Sequence, residues 1–312
     1  MTYVLRRLGF AALVLWASYT VSFAVLYLLA DPVATLVARS SDGSAVTAAE
    51  LAELRARYGL DESVPAQYVD RLLAALRGDL GTSFVSGQPV GRTIAESLPP
   101  TLQIAAAGLV LAVVFGAGVA LTATYTRHRW LAQTLMGLPS LAVSLPVFWV
   151  GLMLVQLFSF QLGWLPAVGA RGPEALILPA VTLALPTGAL IAQVLVKSMG
   201  QALGEPYVTT ARAKGVGPLA VHLRHALGNA AIPALTVLGY VTGNLLAGTV
   251  VVETVFTRPG LGRTTVSAVA DQDIPLVQGV VLFAAVVFVL VNLAVDLLYP
   301  LLDPRVTQAV PA

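Results

Sequence analysis

The stretch from Glu205 to Gly228, EPYVTTARAKGVGPLAVHLRHALG, is the longest polar interruption in the apolar second half of the chain. Pro206 suits the first turn of a helix, and Gly215 suits the left-handed residue that ends one. The residues between them, Tyr207 to Lys214, would form about two turns, roughly 13 Å long. A helix this short is not stable alone in water, because nucleation is costly. We therefore expect it to dock on a surface.

The composition is that of an integral membrane protein. Hydrophobic residues make up 57% of the chain and charged residues 11%, and the mean hydropathy is +0.82. A soluble domain carries about 25% charged residues. The formal net charge of +2 does not favour a nucleic-acid partner. The chain has no cysteine, which excludes disulfides, thiolate metal sites and a cysteine nucleophile.

Six apolar runs predict six transmembrane helices. The first, Leu8–Ala30, has 23 uncharged residues, enough to cross a roughly 30 Å hydrocarbon core. A signal peptide would have an apolar region of about 7–15 residues, so we expect a retained helix. The uncharged run Trp130–Val168 is too long for one straight span, and Pro139 and Pro146 predict a kinked or late-starting helix. The other predicted spans are Leu102–Tyr125, Ala175–Val196, Ala226–Val252 and Ile274–Val295.

Glycines in the second predicted span permit close contact between helices. They are Gly108, Gly116 and Gly118. A missing side chain lets two helix backbones approach each other within a membrane.

Residues 31–98 are polar and mixed in charge, which predicts a small folded cap rather than a linker. Thr47-x-x-Glu50 is a capping box that precedes one helix, with Gly59 as its end. Pro65 can open a second helix. The apolar stripe predicted for this second helix is Tyr68, Leu72, Leu73 and Leu76. The cap either contacts another protein or only connects two transmembrane helices.

Lysine and arginine residues near the predicted helix ends indicate the orientation of the chain. The short loops of one side hold only Arg171, Arg258 and Arg263. The other side holds Arg6, Arg7, Arg127, Arg129, Lys197, Arg212, Lys214, Arg224 and Arg305. Both termini and the Glu205–Gly228 stretch are therefore expected in the cytoplasm, and the cap outside.

The sequence lacks the common signatures of an enzyme or an ion-coupled carrier. Its two lysines, Lys197 and Lys214, follow Val196 and Ala213, so neither completes a GxxxxGK[ST] phosphate loop. HExxH and GxSxG motifs do not occur. A gradient-driven transporter usually places ionisable groups within the membrane, whereas the nearest ones here, Glu253 and Asp296, lie at helix ends. A membrane pathway driven by a separate motor protein is therefore expected.

Three separated motifs resemble those of one known family. Residues 207–215, YVTTARAKG, and the basic run 224–233, RHALGNAAIP, closely resemble the cytoplasmic loop of importer-type ABC permeases of the dipeptide, oligopeptide and nickel branch. The cap agrees from Gly59-Leu60-Asp61 to Arg77-Gly78-Asp79-Leu80-Gly81. A later loop agrees in Glu253-x-x-Phe256-x-x-Pro259-Gly260-Leu261-Gly262, followed by Asp273-x-Pro275. The resemblance covers nearly the whole chain.

The resemblance implies a machine of two permease chains, with this one as half of a heterodimer, two ATPase subunits and an extracytoplasmic substrate-binding protein. It implies no cofactor on this chain, and ATP and Mg²⁺ on the partner ATPase subunits. In the family, the helix of this loop is the coupling helix, seated in a cleft of an ATPase subunit. The residues that match this ATPase-coupling segment are Glu205, Tyr207, Thr210, Ala211, Arg212, Ala213, Lys214 and Gly215. An amphipathic linker on the membrane surface is the alternative.

Two further groups of residues are candidates for function. Thr236, Tyr240 and Asn244 recur at i, i+4 and i+8 on one helix face, and with Gln193 they could line the pathway. Contact between helices is the alternative, supported by Gly239-x-x-x-Gly243 on a neighbouring face. The second group would form an outer gate or a binding-protein contact, or else simply connect helices: Glu253, Pro259, Gly260, Gly262 and Asp273.

The sequence thus predicts an all-α polytopic membrane protein with six transmembrane helices and a small helical extracytoplasmic cap, and the resemblance implies the type I ABC importer permease fold. The segments are 1–30 (cytoplasmic N-terminus and first helix), 31–98 (cap), 99–300 (permease core, coupling loop at 201–228) and 301–312 (cytoplasmic tail). We expect a non-enzymatic permease subunit in the bacterial plasma membrane, surrounded by lipid, with no metal site.

Short peptides are the expected cargo of such a permease. Nickel or a metal chelate is the alternative within the family. A gradient-driven secondary transporter and an intramembrane enzyme are the alternatives of other classes.

Overall fold

The computed structural model describes residues 2–29, 48–57, 61–167 and 172–302. Thr47 and Gly59, the predicted ends of the first cap helix, lie outside these ranges. The described residues are helical apart from turns and one isolated bridge between Thr82 and Pro89. The chain divides into two compact units, residues 1–98 with 264–293 and residues 99–263 with 294–312.

Twelve α-helices lie within the described residues. They are α1 (Thr2–Phe23), α2 (Ala48–Arg57), α3 (Val64–Leu76), α4 (Val90–Tyr125), α5 (Arg129–Ser144), α6 (Val147–Leu154), α7 (Glu174–Gly204), α8 (Pro206–Ala213), α9 (Pro218–Ala220), α10 (Leu227–Val255), α11 (Leu261–Ala270) and α12 (Ile274–Leu302). Ala24–Leu29, Val155–Gln161 and Val221–Ala226 are π-helical and continue α1, α6 and α9.

The described helices provide up to six membrane spans, as the sequence predicts. Five are long and apolar enough to cross a membrane: Arg7–Tyr27, Val90–Tyr125, Glu174–Gly204, Pro218–Leu245 and Ile274–Val291. The sixth is a broken pair, Arg129–Ser144 and Val147–Gln161, bent by 105°. The bend falls at Leu145 and Pro146, whose backbone is extended, whereas Pro139 lies inside α5. The predicted kink is therefore confirmed at Pro146.

The first unit is organised around the second half of α1. Tyr19, Phe23 and Tyr27 are buried there together with Phe84 and Ile274. Tyr68 of α3 packs against this row, its ring centroid 5.3 Å from that of Phe23. The apolar stripe predicted for α3 is correct for Tyr68 and Leu72, which join this core. It is wrong for Leu73 and Leu76, which are exposed, because the helix turns Tyr68 and Arg71 toward α1.

The second unit is built around α7. In its most apolar stretch α7 buries 61% of its residues, compared with 28% for α4 and 17% for Pro218–Leu245. It packs along α10 and α5. Its neighbours leave it little contact with the surroundings, so α7 is the central helix of this unit.

Small residues let α4 approach α7 closely. A Cβ atom on Gly116 would lie 2.7 Å from the carbonyl oxygen of Gly188, and one on Gly188 would lie 2.9 Å from that of Ala112. A Cβ atom on Gly108 would lie 2.9 Å from the Cδ2 atom of Leu183. Close contact is thus confirmed for Gly108 and Gly116. It is wrong for Gly118, which has no described atom within 4 Å of an added Cβ.

This crossing predicts opposite effects for two matched glycine substitutions. Gly116→Ala should destabilise the protein by about 1–3 kcal/mol, because the new methyl group meets backbone that cannot rotate away. Gly118→Ala, two residues along the same helix, should cause no loss, because its side chain enters open space. Unfolding midpoints of the two purified variants in one detergent provide the comparison. Equal destabilisation would contradict the close crossing.

Candidate functional site

The short helix α8 forms where the sequence predicts it. Glu205 is extended and Pro206 opens the helix. Gly215 ends it with φ of +79°, in the left-handed region that glycine adopts without strain. The amide of Gly215 donates to the carbonyl of Arg212 over 2.9 Å, and the amide of Val216 donates to that of Ala211 over 3.1 Å. These bonds satisfy carbonyls that the last helical turn would otherwise leave unpaired.

One face of α8 is buried in the chain itself. Val208 is fully buried and Ala211 is 7% exposed. They face the end of α7 and the π-helical turn Val221–Ala226, against which α8 packs. Ala211 therefore supports α8 from within the chain rather than lying on its outer surface.

The opposite face of α8 is open. The exposed residues among those that match the family's coupling segment are Glu205, Tyr207, Thr210, Arg212, Ala213, Lys214 and Gly215. Arg212 and Lys214 place two positive charges at the C-terminal end. Neither forms an ion pair with a described residue. The outer face is thus a small polar surface with a basic end.

Two polar contacts join α8 and the Val221–Ala226 turn, against which it packs, to other helices. The Asn229 Nδ2 atom on α10 donates to the Tyr207 hydroxyl over 3.0 Å. The buried ring of His222 lies between two carbonyl oxygens, with Nδ1 3.0 Å from that of Pro218 and Nε2 3.1 Å from that of Thr124 at the end of α4. The Tyr125 ring meets this imidazole edge-on, at 5.1 Å between centroids.

The contacts of Asn229 and His222 are not among those predicted from the sequence. Both residues belong to the quoted polar stretch or the basic run that follows it, so their location was a usable signal. Their partners were not predictable in the same way, since Thr124 lies 98 residues from His222.

A buried carboxylate organises the loop between α10 and α11. Glu253 is fully buried near the end of α10. Its Oε1 accepts from the Thr101 hydroxyl over 2.6 Å, and its Oε2 accepts from the Arg263 amide over 3.1 Å. The Thr101 hydroxyl oxygen accepts in turn from the Leu261 amide over 2.8 Å. We call Glu253, Thr101 and these two amides the carboxylate clasp.

The glycines of this loop make room for the clasp. A Cβ atom on Gly260 would overlap the carboxyl group of Glu253, and one on Gly262 would overlap the backbone of Val250. Of the predicted outer-gate or binding-protein residues in this loop, only Pro259 is exposed, whereas Glu253, Gly260 and Gly262 are buried. The structure therefore places the three buried residues in support of the loop.

Asp273 plays a similar role in the other unit. It is 1% exposed and directly precedes α12. Its Oδ2 accepts from the Ser83 hydroxyl over 2.5 Å, and its Oδ1 accepts from the Phe84 amide over 3.0 Å. Asp273 thus fixes the turn before α4 to the start of α12.

The pathway candidates do not all lie together. Thr236, Tyr240 and Asn244 are exposed on one face of α10, and Tyr240 is 70% exposed. The Asn244 Nδ2 atom donates to the Tyr240 carbonyl over 3.1 Å. Gln193 of α7 is half-buried, and its Nε2 lies 3.5 Å from the Ser140 hydroxyl on α5. Gly243 has no described atom within 4 Å of an added Cβ, so this part of the predicted glycine contact is unoccupied within the described chain.

Comparison with known proteins finds similarity to transport-system membrane components over nearly the whole chain. A family model described as "Binding-protein-dependent transport system inner membrane component" matches residues 108–308. A second model, for the N-terminal part of such components, matches residues 1–105. The glutathione transport system permease protein GsiC of Salmonella choleraesuis (strain SC-B67) is 39% identical over 98% of this chain and 99% of its own length. The protein of the same name from Escherichia coli (strain K12) is 38% identical with the same coverage.

A solved structure shares the fold. It is described as an amino acid ABC transporter with histidines, and the match covers 69% of this chain and 94% of that one. The TM-score is 0.51 at 19% sequence identity. The likeness confirms an ABC transporter permease fold over the matched part of the chain and carries no information on the cargo.

The carboxylate clasp predicts energetic coupling between Glu253 and Thr101. Thr101→Val removes a hydroxyl that both donates and accepts, and Glu253→Gln weakens the acceptor. The two substitutions together should cost about 1–3 kcal/mol less than the sum of their separate effects, since they break the same contact. Unfolding free energies of the four proteins give this coupling. Additive effects would show that the clasp contributes nothing, and Pro259→Ala, at an exposed position, serves as the neutral control.

Proposed function

The chain belongs to the family of binding-protein-dependent transport system inner membrane components, and from this membership we propose that it forms half of the membrane pathway of an ATP-driven importer of short peptides. Membership makes it a permease component of an ABC importer, embedded in the inner membrane with several spans. Beyond this membership, we propose the cargo, the arrangement of the partner subunits and the residues that contact them.

The exposed face of α8 is the observation that carries this proposal. The helix is eight residues long and is held from behind by Val208 and Ala211, so its polar outer face is available to a partner. We assign this face to an ATPase subunit in the cytoplasm, where ATP and Mg²⁺ would bind. Arg212 and Lys214 fit a cleft with acidic groups at the corresponding end.

The bonds behind α8 suggest how a motion of the ATPase subunit would reach the membrane. Tyr207 links α8 to α10 through Asn229. His222 belongs to the Val221–Ala226 turn, against which α8 packs, and it links that turn to α4 through the carbonyl of Thr124. A partner that displaces α8 would therefore displace the ends of both helices with it. ATP binding shifts the pathway only as far as the partner's contacts differ between its two states.

Short peptides are favoured as cargo by the relatives. The similar permeases from Salmonella and Escherichia are named for glutathione transport, and glutathione is itself a short peptide. In an importer of this class a separate extracytoplasmic binding protein would capture the peptide. The present chain would then supply one wall of the path.

The open face of α10 is the proposed place for that path and for the second permease chain. Thr236, Tyr240 and Asn244 are exposed on it. Their hydroxyl and amide groups can form hydrogen bonds with a polar peptide, and these side chains carry no charge. A second, related permease chain facing this surface would enclose the path between the two chains.

Reconstitution tests the proposed function directly. The complex of this permease with its second permease chain, ATPase subunits and binding protein is placed in liposomes, and uptake of a radiolabelled tripeptide is measured. Uptake should require ATP and the binding protein and should persist when ionophores collapse ion gradients. Uptake driven by a gradient without ATP would overturn the proposal.

Reversing the charges on α8 should uncouple the ATPase subunits. Arg212→Glu combined with Lys214→Glu should reduce their co-purification and tripeptide uptake at least tenfold, because both charges lie on the exposed face. Insertion of the permease should be unchanged. Arg129→Glu, the same charge change at an exposed residue outside α8, is the control. Normal ATPase binding by the double variant would contradict docking at α8.

A cysteine at Tyr240 should react with a water-soluble thiol reagent in at least one state of the transport cycle. The chain contains no other cysteine, so the label reports this position alone. Protection by transported peptide would place Tyr240 at the path. Absence of labelling in every nucleotide state would exclude this face from the path.

A further inference from the structure

Helix α3 presents three different faces. Gln67, Tyr68, Arg71, Leu72 and Ala75 are buried or half-buried on the side that faces the protein. Three of the other apolar side chains form an exposed stripe at i, i+4 and i+7. They are Val69, Leu73 and Leu76, which are 49%, 46% and 76% exposed.

A narrow polar strip completes the helix. Asp70 and Arg77 are exposed and lie about 100° around the helix from Val69 and Leu76, at 100° per residue. The helix therefore has a protein-facing side, an apolar open side and a polar edge between them. An element that lay wholly in water would not gain from three neighbouring exposed apolar side chains.

The contacts of α3 with α1 show the depth of α3 along the first membrane span. The Tyr68 hydroxyl lies 2.8 Å from the Thr20 hydroxyl, and its ring packs on Phe23. The Arg71 Nη1 atom donates to the Tyr27 hydroxyl over 2.8 Å. Phe23 lies roughly 9 Å from the end of the helical segment at Leu29, at about 1.5 Å per residue. Because Arg7–Tyr27 is a membrane span, α3 lies beside its last third.

The last helix gives the same depth independently. Ala74 and Ala75 of α3 line a cavity of about 70 Å³ together with Gln278 and Leu282 of α12. Leu282 lies roughly 12 Å into α12 from Ile274, at about 1.5 Å per residue. Two spans of the same compact unit therefore place α3 below their ends, at the level of the membrane interface.

We propose that α3 is an interfacial helix whose exposed apolar stripe contacts the lipid acyl chains. Helices of this kind bury an apolar face about 5–10 Å into the boundary between headgroups and acyl chains. The depths of roughly 9 Å along α1 and roughly 12 Å along α12 are close to this range. Val69, Leu73 and Leu76 continue the lipid-facing surface of the spans. Asp70 and Arg77 remain at the headgroups. The partner of this surface is lipid, and the proposal does not depend on what the permease transports.

Site-directed spin labelling tests the depth of each face. Single cysteines replace Leu73, Leu76, Asp70 and Arg77 in the full chain, which contains no native cysteine. The labelled complexes are reconstituted in phosphatidylethanolamine–phosphatidylglycerol bilayers. Relaxation of each label by oxygen, which concentrates in the acyl region, is compared with relaxation by a water-soluble nickel chelate.

The labels at Leu73→Cys and Leu76→Cys should respond severalfold more to oxygen than to the nickel chelate. Those at Asp70→Cys and Arg77→Cys should show the opposite preference. Equal access of nickel to all four positions would overturn the proposal. So would nickel access at Leu76→Cys that disappears when the binding protein is added, because that surface would then be a protein-docking site. Size-exclusion chromatography of each variant with its partner subunits confirms that the labelled complexes are intact.

Discussion

The packing of Val208 and Ala211, on the inner face of α8, against α7 and the Val221–Ala226 turn is the contact on which the proposed docking surface depends. A helix of eight residues has too few internal hydrogen bonds to be stable alone, so its existence requires the support of α7 and the Val221–Ala226 turn. That support fixes which side of α8 remains open. The polar contacts of Tyr207 and His222 add lateral links to α10 and α4. The same contacts that stabilise the helix therefore connect its outer face to the spans.

Buried carboxylates hold the loops that lie outside this segment. Glu253 and Asp273 are each almost inaccessible, and each accepts hydrogen bonds from residues far away in sequence. A buried carboxylate is costly unless its oxygens are hydrogen-bonded, so these bonds define the local geometry. Several residues of the loop motif serve this purpose, which explains why glycine stands at positions 260 and 262. Pro259 is left as the exposed part of the motif.

Features determined by local chemistry were predictable from the sequence. Pro206 and Gly215 gave the bounds of α8 to within one residue, and Pro146 gave the break between α5 and α6. The orientation of α3 was not predictable, because Leu73 and Leu76 have the spacing of a buried stripe as well as that of a lipid-facing one. Only the position of Tyr68 against α1 distinguishes the two. The distant partners of His222 and Glu253, Thr124 and Thr101, lie 98 and 152 residues away and leave no mark in the local sequence.

We propose that α8 moves as one body with the start of α10, to which Tyr207 is bonded, and with the end of α4, to which the adjacent Val221–Ala226 turn is bonded. Pulsed EPR distances between spin labels at Thr210→Cys on α8 and Arg127→Cys beyond α4 measure this most directly. Both positions are exposed, and the assembled complex is compared without nucleotide and with bound ATP. A rigid connection predicts one narrow distance distribution with the same mean in both states. A shifted or split distribution in a complex that still transports tripeptide would contradict it.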